Sequence, residues 1–221
     1  MDYYDRILEH NRRWAREMVE QDPEYFARHA EGQTPHTLFI GCSDSRLQTN
    51  TLTGTEQGEM FVHRNIANQI YSSDLNVLSA IEYAVNFLDV KHIMVCGHYG
   101  CGGIRAAADM AADHGIVDHW LGQIRTIMRI HEHELGGIKN HEACLDRLVE
   151  LNVLEQVYKL SSTPVIREAW SRGRRPIVHG LVYDIRTGLL KEVATRIDGA
   201  DKIASILAET AVAQRTAALT T

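Results

Sequence analysis

The chain has no excess of basic charge, no long apolar run and few cysteines, and each shortage excludes something. With 23 Lys and Arg against 29 Asp and Glu, its formal net charge is -6. Nucleic acid and anionic membrane surfaces, which attract basic proteins, are therefore not expected as partners. No apolar stretch approaches the roughly 20 residues that cross a bilayer. Four cysteines in 221 residues do not make a disulfide framework, and free thiols fit a reducing, cytoplasmic setting. Arginines near the N-terminus lie on an amphipathic pattern, yet Asp2, Asp5 and Glu9 and the lack of an apolar h-region argue against a targeting segment. The glycines after residue 97 form neither Gly-x-Gly-x-x-Gly nor Gly-Lys-Ser/Thr, so a phosphate cradle does not fit. At 44% hydrophobic and 24% charged, the chain can bury one sizeable core and is short for two.

What is present is concentrated in two runs, Gly41-Cys42-Ser43-Asp44-Ser45-Arg46 and Gly97-His98-Tyr99-Gly100-Cys101-Gly102-Gly103. Each follows a short apolar segment, so each sits at the end of an expected strand. Cys42, Asp44, His98 and Cys101 together offer two thiolates, an imidazole and a carboxylate, a soft tetrahedral set suited to zinc. Cys96 and Cys144 are left over as small buried hydrophobes. If Asp44 ligates the metal, the site is closed and reads as structural. If Arg46 takes Asp44 in a bidentate pair, three donors leave a position for water, whose pKa the metal lowers towards neutrality. A cysteine hydrolase using Cys42 or Cys101 with His98 and Asp44 is an alternative that leaves one thiol without a role. A non-enzymatic zinc module is another. His131 and His133, two apart on an expected helix, do not face each other and read as a solvated face.

The hydrophobic pattern alternates strand and helix. Tyr4, Ile7, Asn11, Trp14 and Met18 recur at steps of three and four and predict an amphipathic helix over the first twenty residues. Strands are expected over 36–41, 59–65, 92–96 and 176–183, with a short edge strand over 189–193. Helices are expected from about 75 to 88, capped by Ser73 or Asp74, from 117 to 131, and across Leu145 to Tyr158. Strand, helix, strand without a tight hairpin implies a mainly parallel sheet with right-handed crossovers. The fold class is thus α/β, organised as a helical arm (1–31), a catalytic core (33–195) and a helical C-terminal segment (196–221).

Cys42-Ser43-Asp44-Ser45-Arg46, Val62-His63-Arg64-Asn65-Ile66-Ala67-Asn68 and Gly97-His98-Tyr99-Gly100-Cys101-Gly102-Gly103, in this order and spacing, resemble the three signature blocks of the β-class carbonic anhydrases. The segments at the N-terminus and around 179–190 look similar to its bacterial branch. The resemblance implies a lyase holding one zinc per subunit on Cys42, His98 and Cys101, in which zinc-bound hydroxide attacks carbon dioxide to give bicarbonate. It implies that Asp44 and Arg46 form a gate, open when paired and closed when Asp44 is on zinc. It also implies substrate contacts from Gln33, Phe61, Ile66, Tyr83 and Gly102, and a homo-oligomer, a dimer or a dimer of dimers. In bicarbonate-regulated members a tryptophan, an arginine and a tyrosine bind a second bicarbonate that favours the closed gate. Arg64 and Tyr183 match the latter two, while Phe39 stands for the tryptophan and lacks its N–H donor, so the expectation is a pH-switched enzyme with weakened bicarbonate inhibition. The same scaffold could instead hydrolyse carbonyl sulfide or carbon disulfide.

Overall fold

Every residue of Thr37–Cys42 is buried, a pattern that only a strand covered on both faces allows. This strand, β1, is near the middle of a five-stranded sheet in a computed structural model that describes residues 2–203. The others are β2 (Met60–Asn65), β3 (His92–His98), β4 (Ile177–Asp184) and β5 (Leu189–Ile197). The order is β2-β1-β3-β4-β5. The first four strands are parallel and β5 returns antiparallel along β4, so the α/β fold class and the hairpin edge are as expected. The edge strand is longer than its expected 189–193 and runs to Ile197; that overlaps the helical segment expected from 196, most of which lies outside the described residues.

Contacts divide the chain into two compact units, Met1–Thr34 and Pro35–Thr221. In the first, helix α1 (Tyr3–Gln21) is capped by Asp2, with Asp5 bonded back to the Asp2 amide, and α2 (Tyr25–Ala30) follows. Trp14 of the expected stripe meets Phe26 edge-on, with centroids 5.6 Å apart. No residue of α1 is buried, and Tyr4 and Ile7 are exposed.

In the second unit, β1 leads through α3 (Thr49–Thr53) to β2. Helix α4 (Leu75–Glu82), capped by the Asp74 side chain, continues as a π turn over Tyr83–Phe87 before β3. After β3 come α5 (Gly102–Ala108), α6 (Ile116–Trp120), α7 (Gly122–Ile130), α8 (Glu132–Gly136), α9 (His141–Ser161) and α10 (Pro164–Ser171). The single helix expected over 117–131 is two, because the Tyr71 hydroxyl donates to the Trp120 carbonyl and takes it out of the helical ladder. Helix α9 buries residues on most of its circumference, as befits an element packed against β3, β4, α5 and α7. No helix among the described residues is long and apolar enough to cross a membrane.

Gly97 decides how closely α9 approaches the sheet. A Cβ there would be 2.7 Å from Val153 Cγ2 and 3.3 Å from Val149 Cγ1. We expect Gly97→Ala to destabilise the fold by about 1–3 kcal/mol through overpacking. Urea unfolding of the metal-free protein checks this, and an unchanged midpoint would show that α9 can shift freely.

Candidate metal centre

Strands β1 and β3 are neighbours, but the chain leaves β1 towards β2 and leaves β3 towards β4. Their carboxyl ends therefore border a crevice, the place where open parallel sheets bind ligands. Cys42 ends β1, His98 ends β3, and Cys101 is the N-cap of α5. Their donor atoms all lie within 4.8 Å of one another. The two sulfurs are 3.9 Å apart, close to the ~3.8 Å implied by two zinc–sulfur bonds of about 2.3 Å in a tetrahedron.

Burial and tautomer agree with metal binding. His98 is fully buried, and its Nδ1 donates to the Tyr99 carbonyl at 3.1 Å. That leaves Nε2 as a lone-pair donor aimed into the cluster, where it has no hydrogen-bond partner. A buried nitrogen in this state is what a metal would satisfy. The two thiols are close enough to hydrogen-bond and titrate as a pair. The hydrogen bond from Cys101 is the largest influence on the Cys42 thiol and pulls it well below its ordinary value against its burial. The Cys42 sulfur and burial push Cys101 up. The Ala67 amide also donates to Cys42 Sγ, at 3.4 Å, a contact that sequence reasoning did not foresee.

Asp44 is turned towards Arg46. Its Oδ1 accepts from Arg46 Nε at 2.9 Å and from the Arg46 amide at 3.0 Å, and its Oδ2 accepts from the guanidinium at 2.7 Å. Oδ2 also lies 3.7 Å from His98 Nε2. The Arg46 hydrogen bonds hold this carboxylate well below its ordinary range. Arg64 ties the same loop from β2, donating to the carbonyls of Cys42 at 2.8 Å and Asp44 at 2.7 Å.

Residues 37–190 match the family model described as carbonic anhydrase. The chain belongs to the β-class carbonic anhydrase family. It is 47% identical over 190 residues to a carbonic anhydrase of Emericella nidulans, an alignment spanning 86% of this chain and 83% of that one. The structure is similar to a Coccomyxa β-carbonic anhydrase in complex with acetazolamide, with TM-score 0.87, 37% identity, and coverage of 93% and 92% of the two chains. It also resembles one of two tetrameric β-carbonic anhydrases of Sordaria macrospora, with TM-score 0.82, 41% identity, and coverage of 86% and 95%. Two of these three relatives are fungal, so the expected bacterial branch finds no support in them. The family is zinc-dependent, and the Cys-His-Cys donor set fits zinc.

The other residues expected in this carbonic anhydrase site are distributed unevenly. Ile66 follows β2, 40% exposed, one residue from the Ala67 amide that meets Cys42. Gly102 opens α5 directly after Cys101. Phe61 pairs in register with Leu38, four residues before Cys42, which puts it about 13 Å along the strand from the cluster. It packs on Tyr83 at 5.8 Å, and Tyr83 stacks on Phe87 at 5.4 Å. This aromatic group is a separate, partly exposed patch rather than a wall around the same chain's Cys42. Gln33 belongs to the first unit and is exposed. Phe39 is fully buried against Gly41, and Arg64 and Tyr183 stand on strands β2 and β4. His131 is the residue at the break between α7 and α8, its Nδ1 3.4 Å from Glu134, and His133 is exposed within α8.

Replacing His98 or Cys101 by alanine leaves two strong donors. The expected result is loss of stoichiometric zinc, measured by elemental analysis of purified protein. Full zinc in both variants would remove the assignments.

Proposed function

We propose that this chain catalyses the reversible hydration of carbon dioxide to bicarbonate and a proton, with Cys42, His98 and Cys101 as the zinc-holding residues. The observation that carries this reading is the pairing of Asp44 with Arg46 beside three buried donors. A metal-binding group one donor short of a tetrahedron, with a fourth candidate held aside, is the arrangement of a catalytic centre. Zinc bound there supplies an acidified water, and hence hydroxide, near neutral pH. Asp44, kept ionised by Arg46, is an acceptor at Oδ2 that orients the nucleophile's O–H beside His98. The apolar side chain of Ile66 and the Gly102 amide would border the carbon dioxide. Gln33, Phe61 and Tyr83 are proposed as the remaining contacts, supplied across a subunit interface.

The exposed stripe on α1 and the exposed Tyr83 and Phe87 support a homo-oligomer in which each is covered. The minimal unit we propose is a dimer, with pairing of dimers as the larger form. Free cysteines support a reducing, cytoplasmic setting. The first unit would act as an arm and the second as the catalytic body.

Asp44 and Arg46 act as the gate in this reading. Because Arg46 lowers the native value of Asp44, the carboxylate's stabilising contribution is complete above its unfolded value of about 4 and is lost only as pH falls through the depressed native one. A fall in activity just below neutrality would therefore not report protonation of Asp44. Arg46→Ala should leave zinc bound but free Asp44 to complete the ligand set, with activity falling at least 100-fold. Stopped-flow hydration of carbon dioxide by zinc-loaded protein measures both forms; near wild-type turnover in the variant would refute the gate. Absence of hydration by wild type, with consumption of carbonyl sulfide or carbon disulfide, would favour the related hydrolase instead.

Phe39, Arg64 and Tyr183 are proposed as a regulatory bicarbonate site. The bonds from Arg64 to the Cys42 and Asp44 carbonyls support it, since an anion drawing Arg64 away would loosen the loop that aims Asp44. One missing hydrogen bond to an anion costs about 1.5–3 kcal/mol. Bicarbonate should therefore inhibit Phe39→Trp more strongly than wild type, by roughly tenfold or more; equal inhibition constants would contradict the hydrogen-bond argument.

A further inference from the structure

Ala67 has φ 60 and ψ 30, and Asn68 after it has φ 49. Both are in the left-handed region, which asparagine enters readily but alanine only where its surroundings impose it. The imposing groups are three buried amide side chains. Gln69 Nε2 donates to the Ala67 carbonyl at 2.7 Å and to Asn152 Oδ1 at 2.7 Å. Asn152 Nδ2 donates to the same Ala67 carbonyl at 3.1 Å. Gln156 Nε2 donates to Asn152 Oδ1 at 3.0 Å, and Gln156 Oε1 accepts from the Ile70 amide at 2.8 Å. Gln69 and Gln156 are fully buried and Asn152 is 1% exposed.

Such a circuit is expensive to bury unless each donor and acceptor is matched. Asn152 is its hub: its oxygen takes two hydrogen bonds and its nitrogen gives one. Two donors converge on the Ala67 carbonyl and fix the conformation of that residue. The amide of the same residue then meets Cys42 Sγ at 3.4 Å. An N–H directed at a thiolate withdraws charge from the sulfur, and so from any metal the sulfur holds. No acid, base or nucleophile is present in the circuit, so its chemistry is limited to aiming that amide.

We propose that Asn152, which touches neither substrate nor metal, is a positioning residue for the metal centre: through Ala67 it keeps an N–H on the Cys42 sulfur and thereby sets how much charge the thiolate donates. The inference rests on the reading of Cys42, His98 and Cys101 as metal donors.

The test compares wild type with Asn152→Leu, each loaded with cobalt(II) in place of zinc. Removing the aimed N–H makes the sulfur more electron-rich, so the thiolate-to-cobalt charge-transfer band should move to longer wavelength. If Asn152→Leu does not fold, Asn152→Ser, which leaves room for a water to satisfy Gln69 and Gln156, carries the same readout. A lower melting temperature with an unmoved band would mean that Asn152 only supports the core, and would overturn the proposal while leaving the metal reading intact. Failure of wild type to bind either metal would overturn both.

Discussion

Two adjacent parallel strands that send their chains away in opposite directions create the constraint on which the remainder of the site depends. Because β1 turns towards β2 and β3 towards β4, no connection crosses the gap between their carboxyl ends. Chain directions in that gap are fixed by main-chain hydrogen bonds, so Cys42 and His98 reach it on rigid elements. Cys101 follows three residues after His98, where the chain turns into α5. The loops after the strands then need only modest adjustments to bring sulfur, nitrogen and carboxylate together.

Around this gap the chain manages charge of one sign with charge of the other. Two sulfurs and the Asp44 carboxylate crowd a small volume, and two arginines answer them in different ways. Arg46 takes the carboxylate as a planar fork, which engages both of its oxygens and leaves Oδ2 one lone pair to accept with. Arg64 takes main-chain carbonyls and so fixes the path of the loop. Lysine could match neither arrangement, since its ammonium has no fork geometry. Farther out, a second charged group anchors the His98 turn: the Tyr99 hydroxyl donates to Glu150 at 2.6 Å, and Glu150 also meets Arg147 and Lys191. Burial raises the Tyr99 phenol first, and Glu150 raises it further, so the phenol stays a donor to Glu150, while the Tyr99 carbonyl accepts from His98 Nδ1.

The parts legible in the sequence were those encoded locally. Apolar runs just before Cys42 and His98 marked the strands that carry them, and Ser73 or Asp74 marked the start of α4, where the structure uses Asp74. The donor set could be read because sulfur and imidazole have few other reasons to share a strand-end pattern. Whether Asp44 faced the metal or Arg46 was not legible, since the spacing of the two residues permits both and only coordinates distinguish them. The break at Trp120 was hidden because it depends on Tyr71, 49 residues away. The amide circuit was hidden for the same reason: Asn152 and Gln156 lie on a helix whose leucines announce a core, and nothing nearby says that two polar residues of that helix reach the segment after β2. The aromatic group of Phe61, Tyr83 and Phe87 showed its residue types in the sequence but not its distance from Cys42.

The two sulfurs belong to residues 59 positions apart, and this separation orders the events of maturation. Closing a loop of that length in an unfolded chain costs about 4 kcal/mol of chain entropy. A thiol and an imidazole three residues apart, as at His98 and Cys101, can capture an ion without that cost, but Cys42 joins them only after β1 has paired with β3. The complete donor set is therefore a product of tertiary structure, and full coordination of an ion requires the β1–β3 pairing to be in place. A newly made chain has to rely on its hydrophobic core, and not on its metal, to find the fold.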